Sequence, residues 1–441
     1  MSYRQSLKSC FSDPVEGAEK QIPVAGGVTQ AQFEAVLEEC AEPLHKLQSM
    51  YRDKTLPLFK LLSQTEDLTQ IETSAGRWRS AFDTVVVLGT GASSLAGRTL
   101  YSLSDVGFGP RKGSPDVLFL DNVDPNTMTA MLSSVDLAKT GFIAISKSGE
   151  TAETLAQFFI AARALDSKVG STRMPKHFLV ITGPGSSPLR RTAERLSIPV
   201  MEHDPGIGGR YAALSLVGLL PAMIGGCDIR AIRAGAKEVL YQLSEASRPS
   251  AGLPIAGAAM NIALLRHQKL TNTVLMPYID RLVNFTHWWR QLWAESIGKM
   301  GAGTTPTPSL GTVDQHSQLQ LYLDGPKDKM FTIVTAETYA EGPPISPNLC
   351  CENDLHWLVG RTLGDLLATE ARATAESLIG SGRPVRKIFL SKVDETALGA
   401  LMTHFMLETM VAAELLGVDA FDQPAIERGK RLTRDFMAAM S

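Results

Sequence analysis

Four hydroxyl side chains, Ser146, Ser148, Thr151 and Thr154, crowd the stretch 146–154 together with Lys147 and Gly149. The run 141–145 before it is short and apolar, which reads as a buried strand, and the run 155–162 after it reads as a helix. A strand-to-helix turn aims unpaired backbone N–H groups and the positive end of a helix dipole at one point. Hydroxyls around that point suit a phosphate dianion. The same residue types also suit an ordinary helix N-cap with surplus surface serines.

Further along, Gly206-Ile207-Gly208-Gly209 precedes Arg210, a glycine run able to place an arginine in a cleft or simply to form a loop. Gln291 and Glu295 are four apart and share a helix face, with Trp289 and Trp293 on another. A carboxylate beside that apolar surface would be partly desolvated, which raises its pKa towards the range of a general base. A solvated glutamate on an amphipathic helix has the same pattern. Thr312 and Gln315 have capping-box spacing, which predicts a helix from Val313 with His316 in its first turn. There the dipole disfavours imidazolium, so a neutral His316 is expected, either shuttling protons or bound to a carbonyl. Lys430 follows Pro424, which opens a helix, and alone reads as a surface lysine. The histidines show no metal-ligand spacing, and no metal is expected.

The elements that position these residues begin at Thr84. Strands are expected at 84–88, 117–120, 141–145, 178–181 and 198–201, separated by helices, and again at 273–276, 331–334 and 387–390. The fold class is therefore α/β, with two doubly wound domains of similar size at 81–245 and 246–441. Residues 1–80 are expected to be a helical accessory segment, interrupted at Pro43 and Pro57. Ligands in doubly wound sheets bind beyond the carboxyl ends of the strands, where the turns 89–94 and 146–151 lie. The turn at 89–94 reads Gly-x-Gly-x-x-Ser. It lacks the third glycine and the following acid of a dinucleotide site, so no nicotinamide or flavin cofactor is expected. Gly298-Lys299 and Gly429-Lys430 are followed by Met300 and Arg431, so neither is a Walker A motif.

The 441 residues carry a net charge of −3 with no basic block, which argues against a nucleic-acid or membrane partner. Cys10, Cys40, Cys227, Cys350 and Cys351 form no C-x-x-C pair, the pattern of reduced cysteines in a cytoplasmic protein. The N-terminus has charges from Arg4 onward and no apolar run, so no signal peptide is expected. The apolar run 398–416 contains His404, Glu408 and Glu414, the mark of a core helix rather than a membrane span.

Taken together and in this order, the fragments resemble the glucose-6-phosphate isomerase (phosphoglucose isomerase) family over roughly residues 84–431. The matching pieces are the turn 89–94, the loop 146–154, Gly208-Gly209-Arg210-Tyr211, Gln291-x-x-x-Glu295-Ser296-x-Gly298-Lys299, Gln315-His316-Ser317 and Asp422-Gln423-x-x-x-Glu427-x-Gly429-Lys430. Ala92, Ala212 and Ile297 depart from the residues usual in the family. The resemblance implies two sugar-isomerase (SIS) domains and an aldose–ketose isomerisation through a cis-enediol(ate), without metal or cofactor. It implies Glu295 as the base, Arg210 stabilising the enediolate, and His316 with Lys430 opening the sugar ring. Ser146, Lys147, Ser148, Thr151 and Thr154 would hold the phosphate, with Glu150 and Glu153 turned away. Ala92, Ser93, Gln291 and Gln423 would line the sugar. A homodimer is implied, with His316 reaching the site of the neighbouring subunit. Two other readings compete: isomerisation of another sugar phosphate, such as mannose 6-phosphate, and a non-catalytic SIS-domain sensor. A dehydrogenase is opposed by the missing third glycine.

Overall fold

Short apolar runs rich in β-branched residues cannot bury both faces as amphipathic helices, and here they form the centres of two sheets. The computed structural model describes residues 2–14, 22–105, 107–349 and 352–440, so Cys350 and Cys351 lie outside the described residues. In chain order the strands are β1 (Tyr3–Ser9), β2 (Thr84–Leu88), β3 (Asp116–Leu120), β4 (Thr140–Ser146) and β5 (Phe178–Thr182). They continue with β6 (Val200–Glu202), β7 (Asn272–Pro277), β8 (Thr305–Pro308), β9 (Lys329–Ala336) and β10 (Val385–Leu390).

The first sheet has the order β3-β2-β4-β5-β6 and is parallel throughout. Every residue of β4 is buried, as a central strand covered on both faces requires. The chain leaves β2 towards β3 on one side and returns to β4 on the other. The crevice between the carboxyl ends of β2 and β4 is thus a topological switch point, flanked by both expected turns.

The second sheet has the order β1-β10-β9-β7-β8. Strands β7 to β10 are mutually parallel, and β1 runs antiparallel to β10 with Tyr3 opposite Leu390. This corrects the expectation that residues 1–80 are helical throughout: the first described residues are an edge strand of the distant second sheet. The helices Gln30–Glu39, Ala41–Arg52, Pro57–Ser63 and Glu66–Ala81 follow. Pro43 and Pro57 fall in first turns, where a missing N–H costs nothing. Strand β8 was also not expected. Its sequence Thr-Pro-Thr-Pro is tolerated because it lies at the sheet edge.

The helix Glu395–Leu415 is long and apolar enough to cross a membrane, yet 94% of its most apolar window is buried inside the protein. It packs against the helices Ile229–Ser244, Leu253–Gln268 and Val283–Ile297. One continuous apolar core runs past it, from Val85 and Val87 of the first sheet to Leu275 and Ile388 of the second.

Candidate active site

The crossover from β7 to β8 is the helix Val283–Ile297, which buries Trp288, Trp289 and Trp293 and leaves Gln291 and Glu295 on a partly exposed face. Spacing alone makes this pair neighbours, and Gln291 Nε2 donates to Glu295 Oε1 at 2.8 Å. The other carboxylate oxygen faces Arg210 Nη1 at 3.5 Å. Gln291 also meets the turn after β2. Gly91, with φ +57°, caps the helix Ala92–Tyr101, and a Cβ there would lie 3.0 Å from Gln291 Nε2. Only glycine supplies both that conformation and that space. Gln291 Oε1 is buried without a partner among the described residues, an acceptor aimed at nothing in the protein.

Arg210 is only 3% exposed. Its Nε donates to Ser296 Oγ at 2.8 Å, and its Nη2 donates to the carbonyls of Ala420 and Asp422 at 2.6 and 2.9 Å. With the bond to Glu295, four of five guanidinium hydrogens are engaged, leaving one on Nη1 beside the carboxylate. Tyr211 lies 3.2 Å from Ser296 Oγ through its own hydroxyl, and Lys299 reaches the Asp422 carboxylate at 2.6 Å and the Asp419 carbonyl. Ser296 and the carbonyls of Ala420 and Asp422 were not picked out as Arg210 partners in the sequence. Ser296 is next to Glu295, but backbone acceptors over 200 residues away leave no mark in residue types.

The loop after β4 places Ser146, Lys147, Ser148 and Thr151 at the same sheet end. Ser146 Oγ lies 2.9 Å from Thr151 Oγ1 and accepts from the Gly149 N–H at 3.1 Å. Ser148 Oγ accepts from the Glu150 N–H at 3.2 Å. Thr151 precedes the helix Ala152–Val169 but makes no capping bond, so the first-turn N–H groups are not closed off by it. Thr154 is fully buried and its hydroxyl has no partner among the described residues. Glu150 and Glu153 are exposed. Lys147 Nζ donates to the Ile207 carbonyl at 3.0 Å, and burial, reinforced by the Arg210 charge against the opposing pull of Asp204, holds its pKa below the usual lysine range. Ala92 is buried and Ser93 half-buried on the turn after β2. A Cβ on Gly209 would lie 3.7 Å from Ala92, so this turn, the Arg210 segment and the Gln291–Glu295 helix close on one crevice. Among the described residues no group of three His, Cys, Asp or Glu side chains is placed to hold a metal ion.

A family model described as phosphoglucose isomerase matches residues 52–340. The glucose-6-phosphate isomerase of Rubrobacter xylanophilus is 36% identical over 418 residues, 93% of this chain and 95% of that protein. The chain belongs to the phosphoglucose isomerase family. A second relative, the glucose-6-phosphate isomerase of Thermus thermophilus, is 37% identical over 86% of this chain and 89% of its own length. The crystal structure of a hypothetical protein from Thermus thermophilus aligns with a TM-score of 0.81 at 34% identity, over 93% of this chain and 98% of that one.

Three residues that the phosphoglucose isomerase motifs single out stand apart from the Glu295–Arg210 pair. The segment around His316 departs from expectation. It is a single 3-10 turn, Val313–His316, and Thr312 makes no capping bond. Asp314, inside the turn, accepts from the Leu310 N–H at 2.7 Å and from Ser317 Oγ at 2.6 Å. Gln315 is drawn off to Tyr278, whose hydroxyl donates to it at 2.7 Å. His316 ends the turn, exposed, rather than standing in the first turn of a helix. Lys430, on the wholly exposed helix Glu427–Ala438, pairs with Glu427 at 2.7 Å. Gln423 is exposed too, although the carbonyls just before it are bound by Arg210.

Proposed function

We propose that the chain interconverts glucose 6-phosphate and fructose 6-phosphate through a cis-enediol(ate). The observation that carries this reading is the Glu295 carboxylate, oriented by Gln291 and faced by the buried guanidinium of Arg210. Such an isomerisation needs one base able to reach two adjacent carbons and a fixed positive charge beside the oxygen that becomes negative. Glu295 takes the proton from C2 of the open-chain aldose and returns it to C1, while the O2 hydroxyl proton passes to O1, and the reverse reaction runs the same path. Arg210, held by Ser296 and two carbonyls, keeps its remaining Nη1 hydrogen for the enediolate oxygen. Gln291, Gln423, Ala92 and Ser93 line the sugar. Ser146, Lys147, Ser148, Thr151 and Thr154 hold the phosphate and so fix the reacting carbons opposite Glu295. The two lobes carrying these halves of the site are 81–245 and 246–441, with β1 belonging to the second sheet.

Ring opening falls to His316 with Lys430 assisting. His316 is exposed on its own chain, which fits a homodimer in which it serves the neighbouring subunit's site. The three described cysteines are buried free thiols, which suits the reducing cytoplasm.

The test is conversion of fructose 6-phosphate to glucose 6-phosphate in chelator-treated buffer, wild type beside Glu295→Gln. Wild-type turnover with a loss of about two to four orders of magnitude in the variant is expected for a removed general base. Turnover that survives in Glu295→Gln would refute its role as base.

A further inference from the structure

His203 directly follows β6. Its N–H donates to the Thr182 carbonyl at 2.9 Å, which carries the pairing of β5 and β6 one residue past the strand end. The imidazole therefore sits at the carboxyl end of the first sheet. It is 2% exposed, and neither ring nitrogen has a hydrogen-bond partner among the described residues. Leaving a buried polar group without a well-formed hydrogen bond is costly, and no protein group is placed to make one with either ring nitrogen among the described residues.

The ring lines a cavity of about 10 Å³ whose other walls are Ser93, Lys147 and Gly209 and the apolar Ile145, Ile181, Ala212 and Val217. That volume is at the lower limit for one water molecule. Ser93, Lys147 and Gly209 come from three different elements of the site: the turn after β2, the loop after β4 and the Arg210 segment. Burial first, and then the charge of Lys147, push the His203 pKa down to about 4, with Asp204 and the Ile207 backbone opposing. A neutral ring keeps an acceptor lone pair and adds no second positive charge behind Lys147.

We propose that His203 is a positioning residue whose imidazole, through one water in this cavity, holds Lys147 of the phosphate loop in register, with Ser93 of the sugar-lining turn beside it. The proposal rests on the reading of the loop 146–154 as the phosphate site. His203 itself touches no reacting atom.

The test compares wild type with His203→Phe, which fills the cavity and removes both nitrogens, and His203→Gln, which keeps a polar end. The readouts are KM for fructose 6-phosphate, kcat, and the dissociation constant of inorganic phosphate. Loss of one hydrogen bond predicts about a tenfold rise in KM and in the phosphate constant for His203→Phe, with kcat changed by less than about threefold. His203→Gln is expected to recover most of that loss. Unchanged phosphate binding in His203→Phe overturns the proposal, as does an equal loss in both variants. If His203→Phe does not fold, a high-resolution crystal structure of the wild type decides: a water bonded to a His203 nitrogen supports the proposal, and a dry cavity overturns it. The double variant Ser148→Ala/Thr151→Ala separates the two levels. Intact phosphate binding there overturns the loop reading itself. Weakened binding there with intact binding in His203→Phe overturns the role of His203 alone.

Discussion

At the scale of single residues, the proposed role of Arg210 rests on how rigidly its guanidinium is held. Its guanidinium binds Ser296, Ala420 and Asp422 as a planar fork, and each bond fixes the direction of the Nη1 edge towards Glu295. A lysine has the charge but not the fork, and could not satisfy these acceptors together. Arg210→Lys is expected to lower kcat by about 10²–10³, as for loss of one preorganised donor to a developing oxyanion. KM should change much less, because the lost interaction belongs to the transition state. A fall in KM-dependent binding alone, with kcat preserved, would assign Arg210 to substrate holding instead. Much of this pair was legible in the sequence, because i,i+4 spacing sets Gln291 beside Glu295 on any helix. The anchors of Arg210 were not. A backbone carbonyl can be offered by any residue type, so Ala420 carries no trace of its role.

At the scale of elements, a buried polar chain ties the helix Val283–Ile297 to the N-terminal strand β1. Trp293 Nε1 donates to Thr304 Oγ1 at 2.9 Å, Thr304 lies 3.0 Å from Thr273 Oγ1, and Thr273 reaches Asn261 Oδ1 at 3.4 Å. Asn261 donates to Glu408 at 3.0 Å, and Arg386 binds both oxygens of Glu408 at 2.7 and 2.6 Å. His404 lies 3.0 Å from Glu408 and 2.6 Å from the Tyr3 hydroxyl on β1. Burial pulls the His404 pKa below 6.5. Burial raises that of Glu408, but Arg386 and His404 outweigh it and hold the carboxyl below 4.5. In both cases the unfolded chain binds protons that the folded one refuses, so stability rises with pH across these intervals. Urea unfolding should therefore show wild-type stability falling as pH drops below 6.5, and falling further below 4.5. Glu408→Gln leaves Arg386 buried without a counter-charge, and a loss of about 3–5 kcal/mol is expected at neutral pH, with a shallower acid slope. An unchanged denaturation midpoint would show that the network contributes nothing net. The central strands were legible because continuous β-branched runs have one stable home, a sheet covered on both faces. β1 was not, since its sequence Tyr-Arg-Gln-Ser-Leu-Lys-Ser is half polar and its pairing partner is nearly 400 residues away.

At the scale of the whole molecule, the proposed role of His316 must be reconciled with its exposed place on its own chain. Within one chain, the turn that ends at His316 is held by Tyr278, Leu310 and Ser317, contacts of its own sheet end rather than of the Glu295–Arg210 crevice. A two-fold dimer resolves this if each subunit offers His316 to its neighbour, and that arrangement makes a prediction that no monomer can meet. Prepare Glu295→Gln and His316→Ala separately, each inactive, then unfold, mix and refold them. In a mixed dimer one site receives both lesions, and the other receives an intact Glu295 from one subunit and an intact His316 from the other. Random pairing makes half the dimers mixed, each with one intact site of two, so about a quarter of wild-type turnover should return. If His316 served its own chain, every site in every dimer would keep one lesion and no turnover would return. Sedimentation of the mixture must show the dimer in either case, so that lost activity is not mistaken for lost assembly.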